Sequence, residues 1–168
     1  QNPQTTGKRH IWSRIHSTKK SKSIKDGPLD LWHDVALPVT RALLYLHQQH
    51  VALGGTLNMH SIVLAYNKGS KSSRPPKVLL RDFSRAIHAS TVSEYFSDVF
   101  ALLSDDVFQL GQLFTELERF QPLLSVDTRN DMGDLIGRCC DLNPLDRPSV
   151  RGVHERLTEI LRYEMVWA

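Results

Sequence analysis

The chain has 168 residues, 40% of them hydrophobic, enough for one globular domain with a core of its own. No apolar run approaches the ~20 residues that span a bilayer, the N-terminus lacks the apolar centre of a secretory signal, and the two cysteines, Cys139 and Cys140, are adjacent and cannot frame a disulfide scaffold. Charge is uneven: residues 1–28 carry seven Lys/Arg against Asp26, and the rest of the chain carries fourteen basic and seventeen acidic residues.

Residues 1–28 read as a basic arm. Residues 1–10 form a polar tail, Ile11–His16 offers one or two helical turns, and a Ser/Lys-rich loop ends in Asp26-Gly27-Pro28. Residues 8–25 can contact an acidic surface, but no aromatic platform or nucleic-acid module accompanies them, so no specific nucleic-acid partner is expected. Reduced thiols and the missing secretory signal point to an intracellular, cytoplasmic setting.

Residues 29–168 read as the folded domain. Leu29, Trp32, Val35, Ala36, Val39, Ala42, Leu43 and Leu46 recur at spacings of three and four, which predicts one long helix from Leu29 to His47. Pro38 falls inside it and predicts a kink or a later start. Ile62–Tyr66 and Lys77–Leu80 predict two strands of a hairpin, joined by the polar stretch Asn67–Pro76. Helices are predicted near 105–118, 131–141 and 150–163, the last with Ser149 as N-cap after Pro148. The fold class is mainly α with one small β-hairpin.

Further motifs stand in order. Leu46-His47 closes the long helix. Leu53-Gly54-Gly55-Thr56-Leu57-Asn58-Met59-His60-Ser61 leads into the first strand. Arg81-Asp82-Phe83-Ser84 follows the second. Glu94, Asp106-Val107-Phe108-Gln109-Leu110-Gly111 and Asn143-Pro144-Leu145-Asp146-Arg147-Pro148 come later, Glu94 twelve positions after Asp82 and Asp106 twelve positions after Glu94. The series resembles the C-terminal lobe of the eukaryotic protein kinase family, and that lobe only. No Gly-rich phosphate loop, Val-Ala-x-Lys strand or partner-Glu helix stands in the sequence. The resemblance implies a kinase C-lobe fold, with the first long helix beside the one near 105–118.

In that register the catalytic loop is degraded. Gly54 stands at the family's His and Gly55 at its Arg. Thr56 stands at the catalytic Asp, which orients the attacking hydroxyl and accepts its proton. Asn58 stands at the Lys that stabilises charge on the moving phosphoryl, and Ser61 at the metal-binding Asn. Asp82 matches the magnesium-binding acid and Phe83 its packing aromatic, although an Asp-Phe after a strand also fits an Asp that caps a turn. Val63 matches the floor under the nucleotide base, with Leu113 and Leu117 expected to face it. Glu94 and Arg147 are expected to form an architectural ion pair, and Asp106 to accept amide bonds from the loop. The segment from Asp82 to Glu94 is short for a peptide-docking platform.

The resemblance therefore implies a catalytically inactive, pseudokinase-like module whose partners are proteins. No cofactor is expected, and Mg-ATP would bind weakly if at all. The alternatives are a protein kinase whose N-lobe lies outside this chain and a basic-arm module for nucleic acid or an acidic membrane. The histidines show no metal spacing and no serine lies in a nucleophile elbow, so metallohydrolase and serine-hydrolase chemistry have no support.

Overall fold

The computed structural model describes residues 7–10, 29–66, 76–88, 96–123 and 125–167. In chain order these form β1 (Gly7–His10), a π-helical turn (Trp32–Ala36) running into α1 (Leu37–Gln48), β2 (Val51–Ala52), a 3-10 turn (Met59–Ser61), β3 (Ile62–Tyr66), β4 (Lys77–Leu80), β5 (Ile87–His88), α2 (Phe96–Phe120), α3 (Val126–Cys139) and α4 (Val150–Trp167). The expected hairpin is β3–β4, antiparallel, with Ile62 opposite Leu80 and Leu64 opposite Val78.

Two additions were not visible in the pattern. Gly7–His10, expected as tail, pairs antiparallel with β3, so the sheet order is β1-β3-β4. β2 and β5 form a separate two-residue ladder, Val51 with His88 and Ala52 with Ile87. Runs of two residues carry no readable period, and Gly-Lys-Arg-His shows no apolar alternation. The helix expected near 11–16 lies outside the described residues, as does nearly all of the 67–76 connection.

Pro38 has the anticipated effect by a specific route. It has no N–H and its ring crowds the preceding turn. The chain widens before it, and the Leu37 amide reaches back to the Trp32 carbonyl, so Pro38 sits in the first turn of α1. Asp30 fixes the start, its Oδ1 accepting the Trp32 and His33 amides at 2.9 and 3.1 Å. Gln121, just past α2, clamps this end. Its side-chain oxygen accepts the Leu31 amide at 2.7 Å and its carbonyl accepts the Trp32 indole N–H at 2.8 Å.

α2 runs through the middle of the core. Val107, Leu110, Leu113, Phe114 and Leu117 are all buried, together with Trp32, Val35, Val39 and Leu43 before them, Ile62 and Leu64 of β3, Met132 and Leu135 of α3, and Val153, Leu157 and Ile160 of α4. Each such side chain contributes on the order of 1.5–3 kcal/mol. The expected neighbourhood of the 29–49 segment and the central helix is present at both ends, through Trp32 against Phe114 and His47 against Asp106. α2 meets the π turn, where the Trp32 and Phe114 rings lie 6.0 Å apart, while α1 lies mainly along α4. A Cβ on Gly111 would come within 2.7 Å of Cys139 Cβ and Cys140 Sγ, so only glycine lets α2 and α3 approach this closely.

α2 starts at Phe96 and α3 at Val126, both earlier than the apolar stripes suggested. Ser149 caps α4 as expected, its Oγ accepting the Gly152 amide at 3.2 Å.

Candidate functional site

The loop from Leu53 to Ser61 is held by its own polar side chains. Thr56 Oγ1 is buried and lies 3.1 Å from the Leu53 carbonyl and 3.0 Å from the Asp82 carbonyl. Asn58 caps the 3-10 turn: its Oδ1 accepts the His60 and Ser61 amides at 2.8 and 3.2 Å, and its Nδ2 donates to the Thr56 carbonyl at 3.0 Å. Ser61 closes a reciprocal box. Its Oγ accepts the Asn58 amide at 2.9 Å and donates to the Asn58 carbonyl at 2.7 Å. Thr56, Asn58 and Ser61 thus bond to backbone and carry no carboxylate or ammonium.

Gly54 and Gly55 both have positive φ, +67° and +77°. A Cβ on Gly54 would stand 2.4 Å from the Arg85 carbonyl oxygen. No larger residue fits there with this backbone, so the histidine that the resemblance would place here is excluded sterically as well as by sequence.

Asp106 is fully buried within α2. Its Oδ2 accepts the Leu53 amide at 2.7 Å and lies 3.1 Å from His47 Nε2, and its Oδ1 has no partner among the described residues. The amide contact expected of Asp106 is therefore present at the start of the loop. Asp106 does not open its helix, which begins ten residues earlier. The link to His47 was missed; an isolated His at a helix end carries no signal of its partner 59 residues away.

Asp82 has φ +71° and an exposed side chain. Its Oδ1 accepts the Ser84 hydroxyl at 2.6 Å, and that bond, followed by the Ser84 amide, holds the carboxyl below its ordinary value. Among the described residues no three His, Cys, Asp or Glu gather as a metal group. Asp82 brings one carboxylate, Ser61 Oγ is engaged by the loop, and the arrangement does not fit a preformed magnesium cage. The packing role expected of Phe83 is corrected: its side chain is 47% exposed, carried outward by the turn that Asp82 and Ser84 make.

Val63 is buried, but the core cluster that holds Leu113 and Leu117 takes in Ile62 and Leu64 and not Val63. Successive strand side chains point to opposite faces, and Val63 shares its face with its partner across the hairpin, Leu79.

Arg147 is anchored. Its Nε donates to the Asp141 carbonyl at 2.8 Å, one terminal nitrogen donates to the Ser104 carbonyl at 3.1 Å and meets Asp105 Oδ1 at 3.2 Å, and the guanidinium lies 4.9 Å from the Phe108 ring centre. Glu94, its expected partner, lies outside the described residues. Asp105 and Ser104 were not foreseen as partners, since neither stood in a quoted role. Beside the loop a cleft of about 670 Å³ is lined by Gly54, Gly55, Ser84, Arg85, Ile87, Leu102, Asp105 and Phe108. Away from it, burial pushes the Cys139 thiol up to about 12 and raises that of Cys140 too.

No family model matches the chain, and no curated protein matches it. Solved structures do match, 488 chains in all, so the likeness of fold does not hang on a single comparison. One is a divergent kinase of Toxoplasma that lacks the glycine-rich loop and regulates membrane ultrastructure of the parasitophorous vacuole. It superposes with a TM-score of 0.58 at 15% identity, over 90% of this chain and 52% of that one. The chain therefore spans about half the length of that kinase. At this identity the likeness speaks for the fold alone, and the fold is kinase-like.

Proposed function

We propose that this chain is the C-terminal lobe of a protein kinase-like domain that has lost phosphoryl transfer and acts as a protein-interaction or regulatory module. One observation carries the reading: Thr56, Asn58 and Ser61 bond to the backbone around them, and none offers a carboxylate or a cation to a phosphoryl group. Phosphoryl transfer depends on positioning and charge stabilisation, so a loop without these groups has little means of accelerating it. The divergence of the Toxoplasma kinase in its glycine-rich loop supports the idea that this fold persists when parts of the nucleotide machinery go.

The second reading is a protein kinase whose N-lobe lies outside this chain. It is favoured by Asp82, whose carboxylate follows β4 and is exposed. Radiolabelled ATP with a generic protein acceptor separates the two. The proposal expects no transfer above a heat-killed control, from this chain or from any longer chain containing it. Robust transfer that Asp82→Ala abolishes would overturn it in favour of the kinase.

A further inference from the structure

Thr56 has one hydroxyl proton and two carbonyls within reach. One, Leu53 O at 3.1 Å, belongs to the same loop. The other, Asp82 O at 3.0 Å, is 26 residues away on a different segment. A hydroxyl donates one hydrogen bond, so the two carbonyls compete for it. Asp82 holds φ +71°, a conformation that residues other than glycine keep only where the surroundings dictate it.

Locally the Ser84 hydroxyl bonds to the Asp82 carboxylate at 2.6 Å, and the Arg81 amide bonds to the Ser61 carbonyl at 2.8 Å. The side chains of Arg81 through Arg85 are all exposed. Besides Thr56, the ties of 82–88 to the loop side include the close approach of the Gly54 and Arg85 backbones and the two-residue ladder of β5 on β2. The same segment supplies Ser84, Arg85 and Ile87 to one wall of the 670 Å³ cleft, and the loop supplies Gly54 and Gly55.

We propose that Thr56 is a latch: its buried hydroxyl holds the 82–88 segment down on the 53–56 loop and thereby fixes that wall of the cleft. When the proton goes to Leu53 O alone, the wall is released and Asp82 leaves its left-handed conformation. The inference concerns a conformational equilibrium and stands whether or not the chain transfers phosphoryl groups.

Hydrogen exchange read by mass spectrometry on the full chain tests it, with Thr56→Val removing the donor at nearly constant shape and Thr56→Ser keeping it. Thr56→Val is expected to speed exchange across 82–88 about fivefold, as the loss of one net hydrogen bond implies, while peptides from 107–117 of α2 stay within about twofold of wild type. Thr56→Ser is expected to match wild type. The latch is overturned if valine leaves 82–88 unchanged, if α2 accelerates equally, or if serine behaves as valine does. The wild-type chain supplies a further check should valine prevent folding. The Ala86 amide, bonded to Phe83 O at 3.1 Å, and those of β5 should be protected, and exchange there at the rate of a free peptide overturns the proposal.

Discussion

Arg147→Ala should destabilise the domain far more than removal of a surface arginine. The side chain is 8% exposed and donates to the Asp141 and Ser104 carbonyls. Charge-assisted hydrogen bonds of this kind contribute about 1.5–3 kcal/mol each. Its contact with Asp105 adds less than about 1 kcal/mol, because that carboxylate is 61% exposed and screened. The Phe108 face adds about 0.5–1 kcal/mol. These contacts share one group and do not sum freely, so the expected loss is about 3–5 kcal/mol, comparable to breaking a buried pair. Urea unfolding followed by circular dichroism measures it, with Arg119→Ala, exposed at the end of α2, as the control expected within ~0.5 kcal/mol of wild type. A loss for Arg147→Ala no larger than the control's would refute the anchoring role. A double-mutant cycle between Arg147→Lys and Glu94→Gln reads the expected Glu94 pair separately, since a coupling below about 0.5 kcal/mol would dismiss that pair and leave the anchor standing.

Gly54→Ala should cost about 2–4 kcal/mol by overpacking against the Arg85 carbonyl at a positive φ, whereas Gly55→Ala, with open space around it, should cost only about 1 kcal/mol; equal effects in thermal melts would contradict the steric argument. Cys139 should resist alkylation in the folded state, and, because its folded pKa is raised, the stability tied to its protonated thiol is full below its ordinary value of 9.0 and declines as pH climbs towards about 12; a flat stability profile over that alkaline window would count against it. At the acid end, burial raises the Asp30 carboxyl but the His33 and Trp32 bonds outweigh it and leave it lowered, so its contribution is present above its ordinary value of 3.8 and is lost as pH falls below it; Asp30→Asn should flatten that acid limb. Mg-ATP should raise the melting temperature of this chain little, by less than about 0.5 kcal/mol of stabilisation at equal millimolar nucleotide, and a shift of several degrees at micromolar nucleotide would show an intact pocket.

What was legible in the sequence was whatever carries a long period or a fixed local chemistry. The apolar stripes of Trp32–Leu43 and Val107–Leu117, the β3–β4 hairpin and the Ser149 cap could be read because each is defined within one segment. That Thr56 carries no carboxylate where the resemblance expects one was legible from register alone. What could not be read was the geometry between segments. No pattern announces that Thr56 reaches Asp82, that His47 meets Asp106, or that Arg147 finds Ser104 and Asp105. Phe83 stands exposed beside the left-handed turn at Asp82, which no hydrophobic pattern announces.

The hydrogen bonding of Thr56 also decides what a simple attempt at reactivation would do. Thr56→Asp restores the residue type that the resemblance places there, and the sequence alone predicts only that one group of three is insufficient, since catalytic groups acting as a unit are not additive. The structure predicts something stronger. Thr56 donates into a buried niche where the Leu53 and Asp82 carbonyl oxygens lie at 3.1 and 3.0 Å. A carboxylate is an acceptor only, so it would face two acceptors without a donor between them. Leaving buried polar groups unpaired costs about 1–3 kcal/mol, and more for a charged one, so Thr56→Asp should lower stability by at least about 2 kcal/mol and still show no transfer from ATP. Thr56→Asn, which has a donor, should be milder. Thermal unfolding of the two variants beside the radiolabel assay separates the arguments. An aspartate variant as stable as wild type would show that the niche is open to water, and one that also transferred phosphate would show that the loop had kept its catalytic geometry.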